Sequence, residues 1–439
     1  MDTPTVVAKF GGSSLADASQ FEKVAAIVRA DPCCRFVVVS APGARYKGDP
    51  KVTDLLIGLQ RGMPDMSVED ICRAIFERFD HIVDDLGLPL DLEVHLRAIA
   101  FASNDPDQFD FLKSRGEYLS AKILAKLLGW RFLDAADFIR FDSAGLFDRE
   151  ATQVAWSGLD LGSSCCVIPG FYGALPDGTI KTFPRGWSDV SGAIVAMLAG
   201  AACYKNWTDV SGVCTADPRI VPDARPLDEI TFEEVRELAY SGAQVLHHAT
   251  IAPLFLAGIP IRLLHTNRPE DPGTLILPDS MAQPAKAGTI AGVAGRPGFT
   301  IITVKKLLMN PEWDFLYNLL GVFARRRIGV EQIPGGIDVV SVVVESKLLD
   351  GVLSEVLDEI QRVCRPDDIQ VLERIALVCV VGRGMAGIPG VAAHVLGALA
   401  YAGISARVIV QGASEISMTI GVDASECDTA IRAIHAAVV

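Results

Sequence analysis

The chain has 439 residues, 50% of them hydrophobic and 21% charged, the balance of a soluble globular enzyme with two or three domains. Its 54 acidic residues against 40 basic ones leave a net charge of −14, which argues against a nucleic-acid or anionic-membrane surface. The ten cysteines include no C-x-x-C pair and read as buried reduced thiols. No signal-peptide pattern opens the sequence, and the longest apolar run, Val190 to Cys203, is shorter than the ~20 residues a membrane span needs. A cytoplasmic protein that touches no membrane is expected.

Val6 to Phe10 is predicted as a short strand carrying Lys9. Gly11-Gly12-Ser13-Ser14 follows, then a helix from about Ala16 to Arg29 with Val24, Ile27 and Val28 on one side. Strand, glycine-rich turn and helix aim free N–H groups at phosphate, although a Walker A spacing is absent. Phe36 to Ser40 is a second strand, ending in Ser-Ala-Pro-Gly, and Thr53-Asp54 opens a helix with Leu55, Leu56 and Leu59. Residues 68–100 read as helical scaffold. Lys113-Ser-Arg-Gly-Glu117 is expected to precede the next helix, with Glu117 early in it, placed for the dipole or simply solvated.

Phe132-Leu133 and Ile139 suggest short strands, Val167 to Gly170 a buried strand and turn, and Asp177-Gly178 a hairpin turn. Thr182 to Asp189 opens another helix: a glycine permits close approach, Arg185 can hold an anion, and Ser188-Asp189 can cap. Lys205 to Val213 is a strand with a polar end, followed by Thr215-Ala-Asp-Pro-Arg219. Two helices and a strand span 232–264, and Pro269 to Pro284 reads as the exit from the first domain. Alternating strands and helices imply an α/β fold with a largely parallel sheet, whose ligands collect beyond the carboxyl ends of strands. Every polar motif above falls at such an end.

The remainder repeats itself. A shift of 76 residues brings Gly321 onto Gly397, Ile328 onto Ile404, Gly336 onto Gly412 and Ser341 onto Ser417. Each copy reads strand, helix, strand, strand, helix and a closing strand, a small α+β sandwich used twice, at 298–372 and 373–439 after a domain covering 1–290. Neither copy holds a catalytic constellation, which suggests ligand sensing or association.

Lysine and arginine beside glycine-rich turns, with acids available to Mg²⁺ such as Asp189 and Asp209, suit phosphoryl transfer. No histidine lies in a polar motif. That fits a carboxylate acceptor, already ionised at neutral pH and in need of no general base. Lys9-Phe-Gly-Gly-Ser-Ser14, Ser-Arg-Gly-Glu117, Pro-Arg-Gly-x-Ser-Asp189, Trp-Thr-Asp-Val-Ser-Gly-Val213, Thr-Ala-Asp-Pro-Arg219 and Gly-Ala-x-Val-Leu-His247 together resemble the aspartate kinases of the amino-acid kinase superfamily. The repeat resembles their paired ACT domains, through Val-Val-Gly-Arg-Gly-Met385 and Gln411-Gly-x-Ser-Glu-Ile416.

The resemblance implies ATP and L-aspartate as substrates and 4-phospho-L-aspartate as product, the step that opens lysine, threonine and methionine synthesis. Lys9 would neutralise the transferred phosphate, with Gly11, Gly12 and Ser13 around it, and Asp189 would be the second catalytic residue. Arg185 would hold the aspartate carboxylate, with Ser40, Thr53, Glu117 and Ser188 framing the amino acid. Thr208, Asp209, Asp217 and Arg219 would take the nucleotide, and no residue is assigned to a dedicated metal site. Regulatory positions are Asp314 and Gln411, lysine or threonine is the expected effector, and a homodimer or larger homo-oligomer is expected.

The sequence also departs from the family. Trp187 stands where a second glycine is usual, His248 replaces a proline, and Lys205 replaces a common Glu. Asp314 holds the helix-start position that Gly390 holds in the second repeat, where it would cap the helix or occupy an effector carboxylate's place. A kinase of this fold with another amino acid as acceptor, and a non-catalytic amino-acid sensor, are the alternative readings.

Overall fold

Five successive buried residues make β1 (Val6–Phe10) a strand that must be covered on both faces. In a computed structural model, residues 4–184, 188–243, 248–309 and 311–439 are described, and β1 lies inside an eight-stranded sheet. The chain forms two units, the first comprising Met1–Val213, Pro226–Phe232 and Val245–Ala282.

Asp17 accepts from the Gln20 N–H and starts α1 (Ala18–Ala30), which leads to β2 (Cys34–Val39). Next come α2 (Val52–Arg61), α3 (Val68–Asp85, opened by a Ser67–Asp70 capping box) and α4 (Glu93–Ala102). The helix α5 (Phe109–Leu128) and β3 (Arg131–Phe132) follow, then α6 (Arg149–Ser157) and β4 (Cys166–Pro169). A hairpin of β5 (Tyr172–Ala174) and β6 (Ile180–Thr182) precedes α7 (Ser188–Leu198) and β7 (Cys203–Thr208). Then come β8 (Glu229–Thr231), α8 (Phe232–Tyr240), α9 (His248–Ala257), β9 (Ile261–His265) and β10 (Thr274–Leu277).

The sheet order is β3-β4-β2-β1-β7-β9-β10-β8, with β10 antiparallel to β9 and its other pairings parallel. Ala8, Phe10, Val37 and Val39 join one core with residues of α1, α2, α3 and α5. Alternation sends Val7, Lys9 and Val38 to the other face, where α7 packs. Phe10 stacks on Trp207 across β1 and β7, with ring centroids 5.8 Å apart.

Three expectations change. Ile139 lies in irregular backbone beside an isolated bridge, Arg140 to Ala174, instead of a strand. The Pro- and Gly-rich 269–284 stretch contains β10, because apolar Thr274–Leu277 pairs with both β9 and β8. Glu117 does not open a helix: α5 begins eight residues earlier and buries this side chain, with only 4% of the residue exposed. Asp105 caps the 3₁₀ turn that starts the run, and Gly116 fits inside the helix because it lies against Ala41.

The second unit comprises Cys214–Arg225, Glu233–Gln244 and Gln283–Val439. Its five-stranded sheet runs β12-β11-β13-β15-β14, with β11 at Gly292–Lys305 and β12 at Val339–Glu345. The other strands are β13 (Asp368–Val381), β14 (Val408–Gln411) and β15 (Ser417–Asp423). Besides α8, which falls here from Glu233 on, its helices are α10 (Phe315–Arg325), α11 (Leu353–Cys364), α12 (Val391–Tyr401) and α13 (Cys427–Val438). The first repeat lacks the expected second strand. Only the bridges Gln332–Val343 and Gly335–Val340 remain there, since Pro334-Gly335-Gly336 removes a donor and the side chains that would continue a ladder.

The two repeats interlock. β11 and β13 are each 14 residues long, and each serves both copies. Gly292–Pro297 pairs with the end of β13 and Phe299–Lys305 with its start, so the second copy takes its closing strand from residues that precede the first. The cores divide accordingly: Ile290 and Val293 pack with α12 and α13, while Ile302 and Val304 pack with α10 and α11.

Candidate active site

Parallel pairing places Lys9 of β1 in register with Val38 of β2 and Asn206 of β7. Lys9 is 6% exposed, and its Nζ lies 2.5 Å from Asp189 Oδ1 in the first turn of α7. Asn206, 3% exposed, donates its Nδ2 to the same Asp189 oxygen at 3.2 Å. The Tyr204 hydroxyl donates to the Asp189 carbonyl at 3.2 Å, and Gly192 lets α7 come this close, since a Cβ there would sit 2.6 Å from that hydroxyl. One cation and one carboxylate are thus held together where β1 ends.

The glycine turn closes over this pair. A Cβ on Gly11 would lie 3.5 Å from Lys9 Nζ, and one on Gly12 would lie 2.9 Å from the Ala41 carbonyl. The Gly43 N–H donates to the Gly12 carbonyl at 2.8 Å, and a Cβ on Gly43 would stand 2.7 Å from the Gly12 carbonyl carbon. Only two glycines permit this seam. Ser14 anchors the turn from below through Thr266, with the hydroxyls 2.7 Å apart, while Ser13 is exposed.

Glu117 is buried beside the end of β2. Desolvation pushes its carboxyl up to about 8, opposed by the Ala41 N–H, its own N–H, the Ser188 hydroxyl and the Arg115 charge. Among the described residues its Oε2 has no partner, an unusual state for a buried carboxyl oxygen. Ser40 follows β2, its N–H bonded to the Phe10 carbonyl at 3.2 Å, and Thr53 lies in the first turn of α2; both are partly exposed. Thr208 ends β7 and donates to the exposed Asp209 at 3.1 Å.

Other predicted residues fall elsewhere. Arg185 and Trp187 lie outside the described residues. Asp217 and Arg219 belong to the second unit and hold each other, Arg219 Nη2 to Asp217 Oδ2 at 2.6 Å. Gln411 ends β14 and is exposed. Asp314 does not cap α10 through its side chain: the carboxylate accepts from Asn318 Nδ2 at 2.8 Å. Its φ of −94° contrasts with +94° at Gly390, so the two helix starts differ in backbone as well as in side chain. Lys205, in the middle of β7, pairs with Asp31 at 2.7 Å.

Sequence reasoning overlooked Asn206, which looks like an ordinary strand residue until parallel register sets it beside Lys9. It also overlooked Asp110, which binds Thr182 Oγ1 at 2.6 Å, Lys113 at 2.6 Å and Lys181 at 3.0 Å, fixing the end of β6 just ahead of the Pro-Arg-Gly stretch. Among the described residues no group of three or more His, Cys, Asp or Glu side chains could hold a metal ion.

Residues 4–265 match the amino acid kinase family, and residues 378–438 match an ACT domain. Aspartokinase 3 of Bacillus subtilis is 33% identical over 98% of this chain and 97% of its own length. The crystal structure of Clostridium acetobutylicum aspartate kinase superposes with a TM-score of 0.88 at 40% identity, covering 99% of this chain and 100% of that one. Aspartokinase III of Escherichia coli, in complex with aspartate and ADP, gives 0.80 at 28% identity, over 98% and 99% of the two chains. The chain belongs to the aspartokinase family of amino-acid kinases. No helix among the described residues is long and apolar enough to cross a membrane.

Asn206 bears directly on this site. Asn206→Leu keeps the volume and loses the amide that holds Asp189. A fall of about tenfold in kcat is expected, with KM for ATP and for the amino acid within about threefold, as steady-state ADP release would show.

Proposed function

We propose that this chain transfers the γ-phosphoryl group of ATP to the side-chain carboxylate of L-aspartate, giving 4-phospho-L-aspartate and ADP. The observation that carries the reading is the pairing of buried Lys9 with half-buried Asp189 beside the Gly11-Gly12 turn. A carboxylate oxygen attacks the γ-phosphorus and the bond to the ADP oxygen breaks, so no proton moves and no base is needed. Lys9 turns from Asp189 to the transferred phosphoryl group, whose oxygens gain N–H donors from the turn through Ser13. Asp189, still held by Asn206, keeps the ammonium aimed along this path.

Glu117 takes the ammonium of aspartate on its carboxylate, Ser40, Thr53 and Ser188 line the amino acid, and Arg185 holds its carboxylate. Thr208 and Asp209, where β7 ends, take the nucleotide. Mg²⁺ carried on ATP would neutralise phosphate charge, and the exposed Asp209 beside Thr208 would be the carboxylate to hold it. The Escherichia coli enzyme has also been crystallised with lysine and aspartate, which supports an amino-acid effector at the ACT repeats here. A cytoplasmic homo-oligomer accords with these assignments.

The test is ATP consumption across a panel of amino acids with hydroxylamine trapping, which reports acyl phosphates alone. An aspartate-dependent hydroxamate is expected. ADP release without hydroxamate, or a hydroxamate formed only with another acid, would overturn the assignment.

A further inference from the structure

Ser40 and Thr53 are joined by a loop whose middle is fastened to α3. Arg78, 4% exposed, donates Nη1 to the Gly43 carbonyl at 3.0 Å and Nη2 to Asp49 Oδ2 at 2.7 Å. It reaches the Pro50 carbonyl as well, at 3.4 Å. Asp49 is equally enclosed, its side chain 1% exposed, and accepts from the Arg45 N–H at 2.8 Å and from Arg45 Nη2 at 2.8 Å. These bonds hold the Asp49 carboxyl down at about 2, with burial opposing them, so the pair stays charged across the working range. Nothing in the phosphoryl transfer uses Arg78.

Both ends of this loop meet the acceptor side of the site. Its first residue, Ala41, donates its N–H to Glu117, and Gly116 lies so close that a Cβ would stand 2.5 Å from Ala41 Cβ. Its far end is tied back by the Val52 N–H to the Pro42 carbonyl at 3.2 Å, one residue before Thr53. A buried ion pair is weak evidence for stability, because apolar side chains of similar volume hold a fold as well; its better-attested use is to enforce one geometry. Three carbonyl and carboxylate acceptors on a single guanidinium fix direction as well as distance.

We propose that Arg78 and Asp49 form a positioning clamp that sets affinity for the amino-acid acceptor, by fixing the loop that carries Ser40, Ala41 and Thr53. The inference rests on those residues and Glu117 framing the amino acid. Removing Asp49 alone would strand the buried Arg78 charge, and removing Arg78 alone would leave Asp49 on Arg45, so the informative variant removes both, Asp49→Asn with Arg78→Met, in the full chain. It is expected to fold, with a circular-dichroism melt close to wild type. KM for L-aspartate should rise at least about tenfold while KM for ATP stays within about threefold. A loss of folded enzyme would lower kcat and leave both KM values in place, so the split separates positioning from simple support.

If the double variant does not fold, Arg78→Lys keeps the charge and surrenders the fork. An intermediate rise in KM for aspartate is then expected. An unchanged KM for aspartate in either folded variant overturns the clamp. Thr53→Val, measured beside them, separates the two failures. If it raises KM for aspartate while the clamp variants do not, only the clamp is wrong. If it too is silent, the assignment of the acceptor site falls with the clamp.

Discussion

Lys9→Met should lower kcat by about 10²–10³-fold or more and leave the fold intact. The methionine fills the lysine's space, and the Asp189 carboxylate it abandons keeps the Asn206 amide and access to water, its side chain being 21% exposed. What disappears is the one cation held at the end of β1, where the transferred group gains charge. Rapid-quench ADP formation and a thermal melt check the two halves of this result. Turnover near wild type would remove Lys9 from the mechanism.

The second large effect is on pH. Glu117 binds its proton until about pH 8 in the free site, because burial disfavours its charge. An ammonium needs the carboxylate, so kcat/KM for L-aspartate should rise with pH, by up to about tenfold per unit, and level off above about 8. Glu117→Gln should raise KM for aspartate and flatten that profile. Stability moves the other way. The carboxyl holds its proton more tightly folded than unfolded, so its contribution is present below about 4.5 and is lost as pH rises through about 8. At pH 9 the Gln variant should therefore melt higher than wild type while binding aspartate less well. A pH-independent kcat/KM between 6 and 9 in the wild type would contradict this role.

Much of the first unit was readable because its signals are local. The buried strand through Lys9, the glycine turn and the Ser-Asp start of α7 each follow from residue type and spacing. Glu117 is legible as a motif residue but not in its setting: nothing in Ser-Arg-Gly-Glu tells that Gly116 lies against Ala41 and draws the next residue inward. Asn206, Asp110 and Arg78 were illegible for the same reason. Their importance comes from partners 17, 72 and 29 residues away, Asp189, Thr182 and Asp49. The repeat could be found by a shift of the sequence, yet its interlocking could not, since a 14-residue strand shared between two copies looks in sequence like one long strand. Trp187 keeps its interest as a departure from the family pattern, and Trp187→Gly beside wild type on the same amino-acid panel would show whether it shapes acceptor choice.

The reaction forms a bond between phosphorus and a side-chain carboxylate oxygen. L-aspartate labelled with ¹⁸O in that carboxylate, incubated with ATP and the enzyme and then cleaved by hydroxylamine at the acyl carbon, should release inorganic phosphate carrying one ¹⁸O. Unlabelled phosphate, with ADP formed all the same, would mean that the phosphoryl group went elsewhere.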